Sequence, residues 1–190
     1  GPLLHVRLFY SLAFTMFQSL FPLYAELHLQ LDVRQTGDVL TYVGILAVLV
    51  QGVAIGWLTN RFEERRLVFY ATALMAISLL AWAFAPNVVF LLVALAPLSL
   101  AAGSLNTVLS SLLTKSVYGK EVGGTLGLST SLQSLSGVIS PALGGALFQA
   151  LGSWAPGVLA AGIMVWMVSF TRRHVVRVHV AARADAEQIP

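Results

Sequence analysis

The chain contains no cysteine, which excludes disulfides and thiolate-bound metal. It is almost as poor in charge. Only 10% of its 190 residues are Asp, Glu, Lys or Arg, where a soluble domain carries roughly 25%. Such a chain cannot build a water-facing surface of ordinary composition. Its longest apolar runs hold no Asp, Glu, Lys, Arg or His near their middles, so these residues offer no in-span proton carrier. The four histidines, at 5, 28, 174 and 179, lie in flanks without metal-ligand spacing. Neither a G-x-S-x-G nor an H-E-x-x-H motif occurs, and no His, Asp, Glu and Ser groups converge on a catalytic pattern. An enzyme is not expected, nor any metal or cofactor. The first apolar run is not expected to be a cleavable signal peptide: it is too long and carries Gln18, Pro22 and Tyr24. The chain opens on Gly1-Pro2 without an initiator methionine, and a longer parent chain is expected.

What is present is hydrophobic: 57% of the residues. Six apolar runs fall near 6–25, 37–58, 67–85, 88–113, 122–149 and 153–171. Each is of the order needed to cross a bilayer, about 20 residues. A backbone in lipid must satisfy its own hydrogen bonds, and the runs lack the two-residue alternation of barrel strands, so they are helices. The expected fold is all-α: a polytopic transmembrane bundle of six helices over residues 1–171, then a basic tail over 172–190. In that arrangement Arg7, Arg61, Arg65, Arg66, Lys115, Lys120, Arg172, Arg173, Arg177 and Arg183 all fall on one side, Arg7 ahead of the first span. Only Arg34 falls on the other, beside Glu26, Asp32 and Asp38. The positive-inside rule makes the basic side cytoplasmic, with both ends of the segment there. The same rule explains the net charge of +3 without a nucleic-acid partner. The bilayer itself is the expected partner, in a plasma or inner membrane. The tail RRHVVRVHVAAR is read as a positive-inside anchor, with anionic lipid as its other possible contact.

The six runs differ in polarity. The third and sixth have few polar side chains and are expected outside, facing lipid. Three others carry polar stripes at helical spacing: Ser11, Thr15, Gln18 and Pro22 in the first; Ser99, Gly103, Asn106 and Ser110 in the fourth; Thr125, Ser129, Gln133, Ser136, Ser140 and Gly144 in the fifth. Beside the first stripe run Tyr10, Phe14, Phe17 and Phe21. The second run adds Gln51 and the pair Gly52-x-x-x-Gly56, small residues that let helices approach. A polar face in a membrane turns to a partner helix or a wet cavity. The cavity candidates are Gln18, Asn106 and Gln133, then Tyr10, Phe14, Phe17 and Gln51. Helix packing is the competing reading for the stripes, and interhelical hydrogen bonding for the amides. This pattern suggests a three-plus-three arrangement, as in transporters built from repeats.

The charged turn GWLTNRFEERR, residues 56–66, resembles the signature loop of the major facilitator superfamily, roughly G-x-L-[A/S/T]-D-R-x-G-R-[R/K]. Gly56, Leu58, Thr59, Arg61 and Arg65 match. Asn60, Glu63 and Glu64 stand where the family has Asp, Gly and Arg. Departures of this kind point to the carboxy-terminal half of such a transporter. The fifth span, with Gly127, Ser136, Ser140, Pro141, Gly144 and Gly145, resembles a relaxed form of the drug-antiporter pattern G-x8-G-x3-G-P-x2-G-G. Residues 97–124 resemble the second half of tetracycline-efflux-type drug:proton antiporters. The resemblance implies alternating access by two six-helix halves, moving a small organic solute, with proton-coupled drug efflux favoured. It implies a gate in the loop at Gly56, Asn60, Arg61 and Arg65, weakened by Asn60, and helix packing at Gly52, Pro141, Gly144 and Gly145. The remaining partner would be an amino-terminal six-helix half in the same chain, or a second copy in a homodimer. The competing class is a channel-like or structural membrane subunit.

Overall fold

The computed structural model describes residues 2–116 and 122–173; Lys120 and the tail beyond Arg173 lie outside them. All regular structure among these residues is helical: α1 (Pro2–Leu29), α2 (Val33–Leu49), a π-helical turn (Val50–Ala54), α3 (Ile55–Arg61), α4 (Glu64–Ala83), α5 (Val88–Lys115), α6 (Val122–Leu151) and α7 (Ala155–Thr171). The π turn joins α2 and α3 into one span, Val33–Arg61, so the seven helices form six continuous rods. Five are long and apolar enough to cross a membrane, and α7 is a shorter apolar helix.

Local chemistry sets the ends. The Asp32 carboxylate accepts from the Gln35 backbone N–H at 2.7 Å, and the Gln35 side chain accepts in return from the Asp32 N–H at 3.1 Å, a reciprocal cap that starts α2. Asn87 Oδ1 accepts from the Phe90 N–H at 2.8 Å and starts α5. Gln30 takes a left-handed conformation, φ 54°, to end α1, and Gly152 at φ 105° ends α6. Pro22, Pro97 and Pro141 lie inside helices, which membrane bundles tolerate where neighbours or irregular turns absorb the lost bond.

Packing has a two-fold pattern. α4 and α7 lie against each other. α4 also packs on α5, as α7 packs on α1; α2 packs on α5, as α6 packs on α1. Exchanging the first three spans for the last three therefore maps the contacts onto themselves. The core runs along α1, α4, α5 and α7 and includes Phe17, Phe21, Tyr24, Trp82, Leu95 and Met164. Trp82 sits edge-on to Phe17, centroids 5.0 Å apart, and its carbonyl accepts from the Tyr24 hydroxyl at 2.8 Å.

The third and sixth spans are not peripheral in this body. The apolar window of α4 is 56% buried, against 17% for Val33–Arg61 and 22% for α6. Apolar side chains pack on helices as readily as on lipid tails, so a lack of polar residues does not choose a position. Here the second and fifth spans present the most open surface, including Ile45, Val48, Val53, Leu128, Leu135 and Val138.

Candidate functional site

A cavity of about 330 Å³ opens between α1, the α2–π turn segment and α5. Of the seven residues singled out in the sequence for a cavity, six line it: Tyr10, Phe14, Phe17, Gln18, Gln51 and Asn106. Each arrives by helical geometry. Phe14, Phe17 and Gln18 share one face of α1, with ring centroids of Tyr10–Phe14 and Phe14–Phe17 at 5.8 and 6.1 Å. Gln51 is delivered by the π turn, a departure that is frequent where a helix must aim a side chain. Ser99, Gly103 and Asn106 come from the stripe of α5. Gly103 makes room here: a Cβ on it would stand 2.8 Å from Val50 Cγ1.

The lining is mostly aliphatic and aromatic, with the amides Gln18, Gln51 and Asn106 set into it, and among the described residues it holds no acidic or basic side chain. The Tyr10 hydroxyl donates to the Ala102 carbonyl at 3.1 Å. Ser99 Oγ, on a residue 6% exposed, has no partner among the described residues.

Gln133 does not line this cavity. It lies on α6 with Ser129, Ser136, Ser140 and Gly144, and those four are buried. Their stripe faces α1. Ser140 Oγ donates to the Leu12 carbonyl at 2.9 Å, and a Cβ on Gly144 would collide with Leu20 and stand 3.0 Å from Met16 Cγ. Ser140 and Gly144 thus lie in the contact between α6 and α1. Gln133 itself faces Arg7: with its amide oxygen turned to the guanidinium, it accepts from Arg7 Nη2 and from Nε at 3.0 Å.

Arg7 corrects the sequence reading. It was expected ahead of the first span as a topological charge. α1 instead begins at Pro2, so Arg7 is inside the helix, 4% exposed. Its Nη1 donates to the Asn106 carbonyl at 3.3 Å, and its Cζ stands 5.9 Å from the Tyr10 ring centroid. No carboxylate pairs with it among the described residues. A run's edge in a hydropathy profile cannot tell a snorkelling arginine from one held between helices. The only signal was spacing: Arg7 precedes Tyr10, Phe14 and Phe17 on their own face.

The charged turn is organised by its acids. Glu64 Oε1 accepts from Lys115 Nζ at 2.8 Å and from Ser111 Oγ at 3.1 Å, tying the start of α4 to the end of α5. Glu63 lies 3.6 Å from Arg66 Nε. Of the expected gate residues, Arg61 lies 6.0 Å over the Trp57 ring, Asn60 is exposed, and Arg65 makes no ion pair among the described residues. Thr59 Oγ1 bonds the Ile55 carbonyl at 2.9 Å. The expected helix packing divides. Gly144 is a contact, and Pro141 sits half-buried in α6. At Gly52, Gly56 and Gly145 a Cβ would meet nothing within 4 Å among the described residues. Their small surface faces outward, so a neighbour must be sought outside these six spans.

Comparison with known proteins agrees with this architecture. The chain is 31% identical over 151 residues to mouse (Mus musculus) solute carrier family 22 member 18, covering 80% of this chain and 37% of that one. It thus spans little more than a third of that relative's length. Among solved structures it resembles the human organic anion transporter MFSD10 (TETRAN), with TM-score 0.82 and 19% identity over 90% of this chain and 40% of that one. The POT family transporter PepTSo gives TM-score 0.79 and 11% identity over 92% and 37%. The sequence model of the Major Facilitator Superfamily matches residues 3–188. Six helical rods in a doubled three-plus-three pattern, a cavity with three amides set in an apolar wall and that match over nearly the whole chain lead to one conclusion: the chain belongs to the major facilitator superfamily of membrane transporters.

Proposed function

We propose that these residues are the carboxy-terminal half of a secondary transporter that moves a small organic solute by alternating access, with its basic end in the cytoplasm. The observation that carries this is the convergence of Gln18, Gln51 and Asn106, from three different spans, on one cavity in an otherwise apolar bundle. Amides in a membrane interior are costly unless they meet partners or water. A solute that exchanges hydrogen bonds with them, then leaves, is their best-fitting use. An amino-terminal six-helix half in the same chain would close the open side, where α2 and α6 leave apolar surface uncovered. A second copy would do so in a homodimer.

Proton-coupled drug efflux is the finer reading. Its support is the likeness of the fifth span to the drug-antiporter pattern. The cavity holds no carboxylate, so in this reading coupling uses an acid outside these residues. The turn at Gly56–Arg66 acts as a latch between spans, with Glu64–Lys115 as its ionic element.

The test uses the full natural gene product in proteoliposomes, with an imposed pH gradient and a fluorescent aromatic drug analogue as cargo. Gradient-driven movement is expected, reduced about tenfold or more in Gln18→Ala/Gln51→Ala at equal inserted protein. Movement indifferent to the gradient would remove proton coupling. Movement indifferent to both amides would remove the cavity.

A further inference from the structure

We infer that Arg7 forms an anion subsite at the end of the cavity, so that the cargo is an organic anion: a carboxylate, sulfonate or phosphate-type group on an apolar body. This rests on the transport reading and adds the substrate's charge to it.

The first ground is an unbalanced charge. Arg7 is 4% exposed, and its partners among the described residues are neutral: the Asn106 carbonyl, the Gln133 amide oxygen and the face of Tyr10. A buried cation without a counter-charge is strongly disfavoured, and more so in a bilayer. Neutral acceptors orient a guanidinium but leave its full positive charge in place. A structural role alone would be met by an apolar residue of similar size.

The second ground is position. Arg7 touches two residues, Tyr10 and Asn106, that line the cavity themselves. It lies about one helical turn along α1 from Tyr10. An acid group bound at the Tyr10–Asn106 end therefore comes within reach of it. Guanidinium has five N–H donors in a planar fork; three are engaged by Asn106 and Gln133, which leaves two to meet an oxyanion.

The third ground is what lines the remainder. No acidic side chain faces the cavity to attract a cation or repel an anion. Ser99 lies on the same wall, with its Oγ buried behind the surface. Phe14 and Phe17 supply an aromatic surface for the apolar body. Gln133 is here a positioning residue: it lies outside the cavity and holds the guanidinium from behind, on α6.

The experiment uses the full natural gene product, purified in detergent, with thermal unfolding followed by tryptophan fluorescence. Four probes of one shape are titrated at constant ionic strength: benzoate, benzenesulfonate, benzamide and benzylammonium. The two anions are expected to raise the unfolding midpoint with concentration, and the neutral and cationic probes to leave it unchanged. Arg7→Lys keeps the charge but loses the fork, and should weaken the anion response about tenfold. Arg7→Gln should abolish it. An equal response to all four probes, a response to benzylammonium alone, no response to any, or an anion response that survives Arg7→Gln each overturns the subsite. The no-response outcome would mean that an acidic group elsewhere in the protein already pairs with Arg7. If Arg7→Gln does not accumulate, the probe series on the unaltered protein and Arg7→Lys decide. Flux of the same probes in proteoliposomes separates the two readings. An anion that binds but is not moved removes transport and leaves the subsite; a neutral or cationic probe that is moved without anion binding does the reverse.

Discussion

α5 and α6 carry stripes that look alike in the sequence: small hydroxylic residues, a glycine and one amide, repeating every three or four positions. They have opposite uses. On α5, Ser99, Gly103 and Asn106 face a cavity. On α6, Ser129, Ser136, Ser140 and Gly144 are buried, with Ser140 bonded to the α1 backbone. The difference is made by what lies opposite. α6 has Leu20 and Met16 of α1 filling the space over Gly144. α5 has the α2–π turn segment opposite, which touches it through Val50 at Gly103 and through Tyr42 at the Leu92 carbonyl, and leaves the cavity between those contacts. A small polar stripe therefore specifies closeness or openness only together with its partner.

Substitutions can break that comparison. The largest effect is expected for Gly144→Leu, which inserts four carbons where one Cβ already collides. A loss of about 1–3 kcal/mol or more is expected by thermal or denaturant unfolding in detergent. Gly145→Ala, one residue away with nothing within 4 Å, should stay within about 0.5 kcal/mol. If both residues cost the same, α6 does not pack on α1 as described.

Next is Gln133→Leu. It strands two N–H groups of a buried guanidinium, at a cost of about 1–3 kcal/mol. Arg7→Met combined with Gln133→Leu should recover much of that stability, because the stranded charge is gone. Additive losses in the double variant would show that the two side chains do not interact.

Ser99→Ala tests the α5 stripe in the other direction. Its hydroxyl is buried and has no partner among the described residues, so its removal should leave stability unchanged or slightly raised. A stability loss above about 1 kcal/mol would mean that Ser99 is packing glue like its α6 counterparts.

The smallest effect is expected at the charged turn. Glu64→Gln breaks the bond to Lys115, whose side chain is 65% exposed; exposed pairs contribute about 0–1 kcal/mol. Stability should barely move. Arg61→Ala should slow transport with the amount of inserted protein unchanged, and equal transport at equal expression would remove its gating role.

Much of the fold could be read in the sequence, because lipid leaves a chain few options. A 57% hydrophobic chain broken into six runs has helices as its way to cross. The positions of Gln18, Gln51 and Asn106 stood out for the same reason: an amide in an apolar run needs an account. Which amide met which neighbour could not be read. Gln133 has the same letter type and spacing as the others, and only the three-dimensional approach of Arg7 separates it. Arg7 was hidden by its place near a run's edge, where a cation ordinarily reaches water. The exposure of α2 and α6 was hidden too, because hydropathy measures how greasy a helix is and not which greasy surface it meets.

The π turn at Val50–Ala54 has a consequence in terms of insertions and deletions. It makes α2 and α3 one helix with a spare residue folded into it. An α-helix turns about 100° per residue, and the wide turn takes up one residue without passing that rotation on. Deleting one residue from the turn would return the span to regular α-helix. Tyr42 would stay bonded to the Leu92 carbonyl, Leu40, Val43 and Gly44 would stay on the cavity, and Trp57 and Arg61 beyond it would keep nearly their present direction. What would be lost is the turn that brings Gln51 to the cavity. The same deletion in the regular helix on either side would instead swing one part of the span against the other by about 100°.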